Sequence, residues 1–169
     1  MNERDSLFRE VQHIRQLWIW ALLLAIAALS IWGAIQQLLL GTPFGNNPAP
    51  DSVMILLVII FGALVPLVFH FMNLTIEVYL DGLYYRFFPF HLRFRRIALE
   101  DMIDCEVREY SPLKDYGGWG IRYGRKGKAY NVSGNRGVLV RLANGDNVMF
   151  GSQRPVDFAT TIKQAYNHS

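Results

Sequence analysis

Trp18-Ile-Trp-Ala-Leu-Leu-Leu-Ala-Ile-Ala-Ala-Leu-Ser-Ile-Trp-Gly-Ala-Ile-Gln-Gln-Leu-Leu-Leu40 is an apolar run interrupted only by Ser30, Gln36 and Gln37. A second run, Val53 to Met72, carries no formal charge and one histidine, His70. A helix needs about 20 apolar residues to cross roughly 30 Å of hydrocarbon, and both runs are that long. From Trp18 to Met72 the one formal charge is Asp51. The rest of the 169-residue chain holds all 17 Lys and Arg and 13 of the 14 Asp and Glu. Ordinary soluble domains spread charge along their whole length, so this division excludes an ordinary water-soluble single domain. Two buried core helices are the alternative, but the remaining chain is too short to wrap both. Cys105 is the only cysteine, which excludes an intrachain disulfide framework.

The segment between the runs, Gly41-Thr-Pro-Phe-Gly-Asn-Asn-Pro-Ala-Pro-Asp51, contains three prolines and two glycines. Proline lacks an N–H and fixes its own φ, so no helix continues through it. This turn carries no Lys or Arg, whereas Arg4, Arg9 and Arg15 precede the first run and fourteen basic residues follow Met72. Positive charge is retained on the cytoplasmic side. The expectation is therefore a multi-pass protein of the cytoplasmic membrane, with helices over 18–40 and 53–72 and both termini in the cytoplasm. Signal-peptide cleavage is not expected, because the first run exceeds an h-region and lacks a small-x-small exit. Trp18 and Trp20 fit an interfacial aromatic belt, and Pro66 predicts a kink that a membrane helix tolerates. His70 stands alone near a helix end, which argues for an interfacial side chain over a proton relay.

Residues 1–17 read as a cytoplasmic amphipathic helical extension. Asp5 or Ser6 is a candidate cap, and Leu7, Val11, Ile14 and Trp18 recur at helical spacing. Residues 73–169 read as a separate cytoplasmic β-domain that starts with no linker. Leu74, Ile76, Val78 and Leu80 alternate with Thr75, Glu77 and Tyr79, and Asp81-Gly82 is a hairpin signal. Strand candidates follow at Leu83–Phe88, Leu92–Leu99, Ile103–Arg108, Trp119–Tyr123, Ala129–Val132, Val138–Leu142 and Asn147–Phe150, with a helical turn at Glu100-Asp101-Met102. Pro155 opens a terminal helix whose apolar face is Phe158, Ile162, Ala165 and Tyr166. The fold class is an α+β membrane protein: a transmembrane helical hairpin, then an antiparallel roll or barrel of about seven strands capped by a C-terminal helix.

The blocks Gly117-Gly-Trp-Gly-Ile-Arg-Tyr-Gly124, Tyr130-Asn-Val-Ser-Gly-Asn-Arg-Gly137 and Gly151-Ser-Gln-Arg-Pro155, in this order after two membrane helices, carry a resemblance. The chain resembles the prokaryotic pleckstrin-homology-like membrane proteins, in an uncharacterised group with an N-terminal membrane hairpin. The resemblance covers nearly the whole chain. It implies a binding or assembly module and no reaction. Phosphoinositide-binding relatives carry basic residues around the first hairpin loop of the domain; here that loop is Asp81-Gly82, with no Lys or Arg before Arg86.

No Walker loop, Gly-x-Ser-x-Gly or His-Glu-x-x-His motif is present. Neither a catalytic residue nor a metal or other cofactor is expected, because the four histidines are scattered and Cys105 has no His nearby in sequence. Strand parity places Cys105 with Ile103 and Val107 as a core residue. Glu100, Asp101, Asp104, Glu106 and Glu109 could serve acid–base or metal chemistry, but solvated strand faces account for them more simply. Asn131-Val-Ser133 matches a glycosylation acceptor, inert on the cytoplasmic side. The strongest signal is Ile121 to Gly145, where Arg122, Arg125, Lys126, Lys128, Arg136 and Arg141 occur without an acid. Arg122, Arg125, Lys126, Lys128 and Arg136 are the candidate anion or partner contacts, on or beside a turn whose glycines would admit an anion to the backbone. A glycine-rich hairpin with solvated basic tips is the equal alternative. Trp119, alternating with Ile121 and Tyr123, is the candidate structural anchor of one shared core face.

The expected function is a non-enzymatic module held at the membrane surface, contacting membrane lipids, a protein partner or a second copy; no nucleic acid is expected. The alternatives are an auxiliary subunit of a larger membrane complex, whose helices would approach through Ala25, Ala28, Gly33 and Gly62, and a small membrane enzyme or transporter accessory.

Overall fold

The computed structural model describes residues 6–124 and 127–168. The chain forms two compact units: Arg15–Phe71, and the remainder on either side of it.

The first unit is a helical hairpin. Helix α1 (Leu17–Ala34) ends in π-helical turns at Ile35–Leu39; α2 (Asp51–Leu57) passes through π-helical turns at Val58–Leu64 into α3 (Val65–Phe71). Taken end to end, Leu17–Leu39 and Asp51–Phe71 span 23 and 21 residues and are long and apolar enough to cross a bilayer. Where a kink was expected at Pro66, the helix widens in the turns just before it. Proline removes one i→i−4 bond and crowds the carbonyl it would have reached. The breaks in the first apolar run also have a purpose. Gln37 Nε2 donates to Ala49 O and to Asp51 Oδ1, both at 2.7 Å, so the lone charge of the hairpin caps the turn that reverses the chain. The glycines foreseen as approach points for a partner helix serve the hairpin itself. A Cβ at Gly33 would lie 3.0 Å from both Met54 and Phe44, and one at Gly62 would lie 3.5 Å from Ile31.

The second unit is a two-sheet β-structure, and its first strand precedes the helices. Strand β1 (Phe8–His13) pairs antiparallel with β2 (Asn73–Tyr79), in the register Phe8↔Val78, Glu10↔Ile76, His13↔Asn73. This corrects the helical extension expected over residues 1–17. Leu7 and Val11, whose spacing suggested a helix, are exposed, while Phe8, Glu10 and Gln12 alternate inward. The β-domain expected to start at residue 73 therefore also takes in this earlier strand.

The sheet continues through β3 (Gly82–Phe88) to β4 (Arg95–Ala98), shorter than the strand expected from Leu92. A 3₁₀ turn at Leu99–Asp101 leads to the second sheet, formed by β5 (Met102–Glu109), β6 (Gly120–Gly124), β7 (Gly127–Asn131), β8 (Arg136–Leu142) and β9 (Asn147–Gly151). Its order is β5-β8-β9-β7-β6. The described residues thus hold nine strands where about seven were expected. The sheet is mixed, not antiparallel throughout, because β7 lies parallel to β9. A short helix α4 (Pro112–Tyr116) precedes β6, and α5 (Pro155–His168) packs across both sheets.

The core lies between the sheets and under α5. Leu74, Ile76, Leu83, Phe87, Val138, Val140, Phe150 and Phe158 are completely buried, and Phe8 stacks on Phe158 at 5.2 Å. One parity expectation fails for a local reason. A bulge between Met102 and Asp104 adds Ile103 to β5, so Met102 and Cys105 face inward and Ile103 turns out at 70% exposure.

β1 is fastened at its far side as well. Glu10 Oε2 accepts from Ser152 Oγ at 2.6 Å and its Oε1 from the Gln153 amide at 2.7 Å, while Gln12 Nε2 donates to Gly151 O at 2.7 Å. Arg154 reaches back to Arg9 O and lies over the Phe8 ring. Glu10→Ala removes two bonds to a buried carboxyl group, each of a kind worth about 1.5–3 kcal/mol. Amide exchange of Phe8–His13 in the full chain should accelerate sharply, with that in β8 and β9 little changed. Unchanged protection of β1 would show that strand pairing alone holds it.

Candidate functional site

The basic residues between Ile121 and Gly145 do not form one patch. Arg136 and Arg141 lie on β8 beside β5, where Arg136 pairs with Glu109 at 3.6 Å and Arg141 with Asp104 at 3.5 Å and Glu106 at 2.9 Å. Arg108 also pairs with Glu106. The acidic stretch and these arginines thus neutralise one another across neighbouring strands, an exposed network of small energetic worth. Arg122 and Lys128 remain on the β6–β7 ribbon. Arg122 stands opposite Ala129 and Lys128 opposite Tyr123, so the two cations occupy opposite faces. Arg122 Nε donates to Trp119 O at 2.9 Å, and the Lys128 ammonium lies over the Tyr123 ring at 5.6 Å. Arg125 and Lys126 fall between these strands in sequence and lie outside the described residues.

Several glycines of this region are required by close packing. At Gly127 (φ 108°) a Cβ would meet Asn147 O at 2.2 Å, so only glycine lets the ribbon lie against β9. At Gly151 a Cβ would meet Asn131 at 2.9 Å and Tyr110 Oη at 3.0 Å. Trp119 is half-buried, immediately before β6. Its expected companions do not share a core face: Ile121 is half-buried and Tyr123 is 70% exposed, because β6 is the edge strand of its sheet.

Asn131 of the glycosylation-like triplet is fully buried, and its Oδ1 accepts from the Gly120 amide at 2.9 Å. Beside it, Tyr110 packs with Tyr116, Ala129, Leu139 and Met149. Burial pushes the Tyr110 phenol up to about 12, against a smaller opposing pull from the Asn131 side chain. Cys105 is buried, donates weakly to Ala159 O at 3.7 Å, and is likewise raised by burial, so it is a packed thiol and not an activated one. The adjoining pocket between β5 and α5 has a volume of about 230 Å³, below the roughly 300–1,000 Å³ of typical small-molecule sites. Among the described residues no group of three or more His, Cys, Asp or Glu is placed to hold a metal ion.

Two features with no motif emerge only in three dimensions. One is the Glu10–Ser152–Gln153 latch, which assigns a role to the Gly151–Pro155 block. The other is the β3–β4 turn, Pro89–Phe94. His91 is tucked inward at 8% exposure, its ring 6.2 Å from Tyr85 and 5.7 Å from Tyr130, and burial and then Arg95 lower its pKa. Its neighbours Phe90 and Leu92 are thereby turned out, at 64% and 74% exposure. The alternation of aromatic and arginine residues in Phe90-His-Leu-Arg-Phe-Arg-Arg96 was the available signal.

An apolar helical hairpin set within a two-sheet β-unit defines an α+β protein with two helices of membrane-spanning length. The chain belongs to a family of unknown function (DUF6141), which it matches over residues 1–168. No curated protein matches it.

The Tyr110 phenol yields a signed pH prediction. Its folded pKa, about 12, lies above the unfolded value near 10. Its stabilising share is therefore complete below pH 10 and lost as pH rises towards 12. Tyr110→Phe should flatten the fall in unfolding free energy across that interval, as read by denaturant titrations at pH 9, 10 and 11. An unchanged slope would show that Tyr110 ionises freely in the folded state.

Proposed function

We propose that this protein is a non-enzymatic, membrane-anchored binding or assembly module: a pleckstrin-homology-like roll tethered at the cytoplasmic face by its own inserted hairpin. The observation that carries the reading is the pairing of His13 with Asn73. The strand before the helices and the strand after them are neighbours, so a chain that crosses a bilayer through α1 must return through α2–α3 to the same side. The exposed side chains of the hairpin, among them Trp18, Leu24, Leu29, Trp32, Ile59 and Leu67, suit a lipid environment. The absence of Lys and Arg from residues 41–51 favours the outside for that turn.

The pleckstrin-homology-like reading rests on the antiparallel sheet β1–β4, the antiparallel trio β5-β8-β9 and the closing helix α5, with the β6–β7 ribbon as an addition. That ribbon is the best candidate contact surface. It presents Arg122 and Tyr123 on the edge strand β6 and Lys128 on the neighbouring β7, and its Gly124↔Gly127 end lies at the opposite end of β9 from Gly151, which touches Gln12 beside the chain's exit to the helices. Five residues of strand separate the two ends, roughly 15 Å. This favours a protein partner for the ribbon over the leaflet.

Two measurements test the proposal. Reporter fusions at both termini and at Asn46 should place the termini inside and Asn46 outside; an external C-terminal domain overturns the topology. A photocross-linker at Tyr123 in native membranes should form a discrete protein adduct, lost in Arg122→Glu/Lys128→Glu. The same adduct in that variant, or none in the wild type, overturns the ribbon as the contact surface.

A further inference from the structure

We propose that the β3–β4 turn, Pro89–Phe94, dips into the interfacial region of an anionic leaflet, burying Phe90 and Leu92 among the acyl chains and setting Arg93 and Arg95 against lipid phosphates. The inference rests on the membrane anchoring proposed above and names a different surface from the β6–β7 ribbon.

The first argument is register. His13 stands opposite Asn73, and Asn73 opposite Phe88, so the ends of β1 and β3 and the start of β2 lie together at one end of the sheet. The chain leaves that end for α1 at Ile14 and re-enters it from α3 at Met72. Pro89–Phe94 emerges from the same end, one residue beyond the Asn73 partner. The Leu80-Asp81-Gly82 turn is at the other end, next to the Tyr79↔Gly82 pair.

The second argument is how the turn is built. The His91 amide donates to Phe87 O at 2.7 Å and its ring is buried against Tyr85 and Tyr130. With His91 anchored inward, Leu92 and Phe90 flank it exposed, the Phe90 ring lying 6.1 Å from that of the buried Phe87. An apolar pair held exposed by a buried neighbour loses little conformational freedom when it enters an apolar phase. Phe94 is covered by the Arg86 guanidinium, 4.8 Å from the ring centroid.

The third argument is charge. From Gly82 to Leu99 there is no Asp or Glu, and Arg86, Arg93, Arg95 and Arg96 lie within it. Arg96 is engaged with Asp81, at 3.3 Å, towards the far end of the strand. Arg93 and Arg95 are exposed and form no ion pair among the described residues. Guanidinium suits bidentate phosphate contact, and an anionic leaflet attracts such residues within a Debye length of its surface. Exposed apolar side chains flanked by arginine fit the boundary between acyl chains and headgroups. A soluble acidic partner would satisfy the arginines but leave Phe90 and Leu92 in water, beside a bilayer that the connecting residues already reach.

The test uses the full chain with one added cysteine carrying an environment-sensitive NBD label, since native Cys105 is buried. The label is placed at Leu92→Cys in the turn, Leu80→Cys at the opposite end, or Leu29→Cys in α1. Each protein is reconstituted in vesicles of phosphatidylcholine alone, or with phosphatidylglycerol added, containing lipids that bear a shallow or a deep nitroxide quencher. The inference expects strong shallow quenching and blue-shifted emission at position 92, greater with phosphatidylglycerol, and little at position 80. Arg93→Glu/Arg95→Glu should lower membrane contact at position 92 in the anionic vesicles. Each arginine is worth about fivefold in the underlying equilibrium, and an unchanged near-ultraviolet dichroism spectrum would confirm that the fold persists. Position 29 should be quenched by the deep probe throughout. If position 92 is no more quenched than position 80 while position 29 is quenched, the turn stays in water and the inference falls, leaving the anchoring intact. If position 29 is not quenched, the anchoring fails and the inference with it. Equal quenching at position 92 in both lipid mixtures, unaltered by the charge reversal, overturns the arginine–phosphate contact.

Discussion

The Glu10 carboxyl group, accepting from Ser152 Oγ and the Gln153 amide, joins the beginning of the chain to its last loop. Most other features of the molecule follow from that join. Backbone pairing holds β1 to β2, and the Glu10 carboxyl group ties the same strand to the Gly151–Arg154 segment. It turns an apparent N-terminal tail into part of the β-unit. The β1–β2 pairing that it reinforces makes the helical hairpin an insertion between two neighbouring strands, tethered at both ends, where a hairpin preceding an independent domain would be tethered at one.

That arrangement costs less than its sequence separation suggests. Closing a long flexible loop costs free energy that grows only logarithmically with length, and here the loop is itself a folded unit whose ends meet. The hairpin achieves this through its own contacts: Gln37 to Ala49 and Asp51 at the turn, and Gly33 against Met54 and Phe44. At the end where the chain joins the β-unit, Trp20 and His70 meet edge to face at 6.4 Å. Each unit thus helps bring together the chain ends that the other requires.

The readable parts of the fold were those in which one face was consistently apolar. The strands β2, β3, β8 and β9 and the amphipathic α5 announce themselves through hydrophobic period, and the two long helices through the unbroken length of their apolar runs. β1 could not. Two of its three inward residues, Glu10 and Gln12, are polar, because their partners are backbone and hydroxyl groups contributed from far along the chain. Its outward Val11 joins Leu7 and Ile14 in a false helical stripe. The bulge at Ile103 defeated alternation in a different way, since one inserted residue reverses the parity of all that precede it. The basic cluster was legible as composition and misleading as geometry. Sequence proximity joined Arg122, Lys128 and Arg136, whereas strand order carried Arg136 and Arg141 to the acids of β5 and left Arg122 and Lys128 on opposite faces of a ribbon.

Charge density along the chain is thus a weaker guide than the supply of counter-charges in the sheet. The acid-free stretch from Ile121 to Gly145 looked the more cationic, yet β8 lies beside β5, whose Asp104, Glu106 and Glu109 offset two of its arginines. The shorter acid-free stretch from Gly82 to Leu99 has no such neighbour. β4 is an edge strand, β3 is flanked by β2 and β4, and among the described residues the one carboxylate that forms an ion pair with an arginine of this stretch, Asp81, is engaged by Arg96 away from the turn. Arg93 in the Pro89–Phe94 turn and Arg95 just after it are therefore left without an ion pair among the described residues, beside the exposed Phe90 and Leu92 that flank a buried histidine. In the β6–β7 ribbon Gly124 and Gly127 are required by close backbone packing, and one of the two described cations rests on a tyrosine ring. Exposed apolar area and unpaired positive charge coincide where the sheet meets its connections to the helices, and it is this coincidence, more than the total of basic residues, that marks the surface.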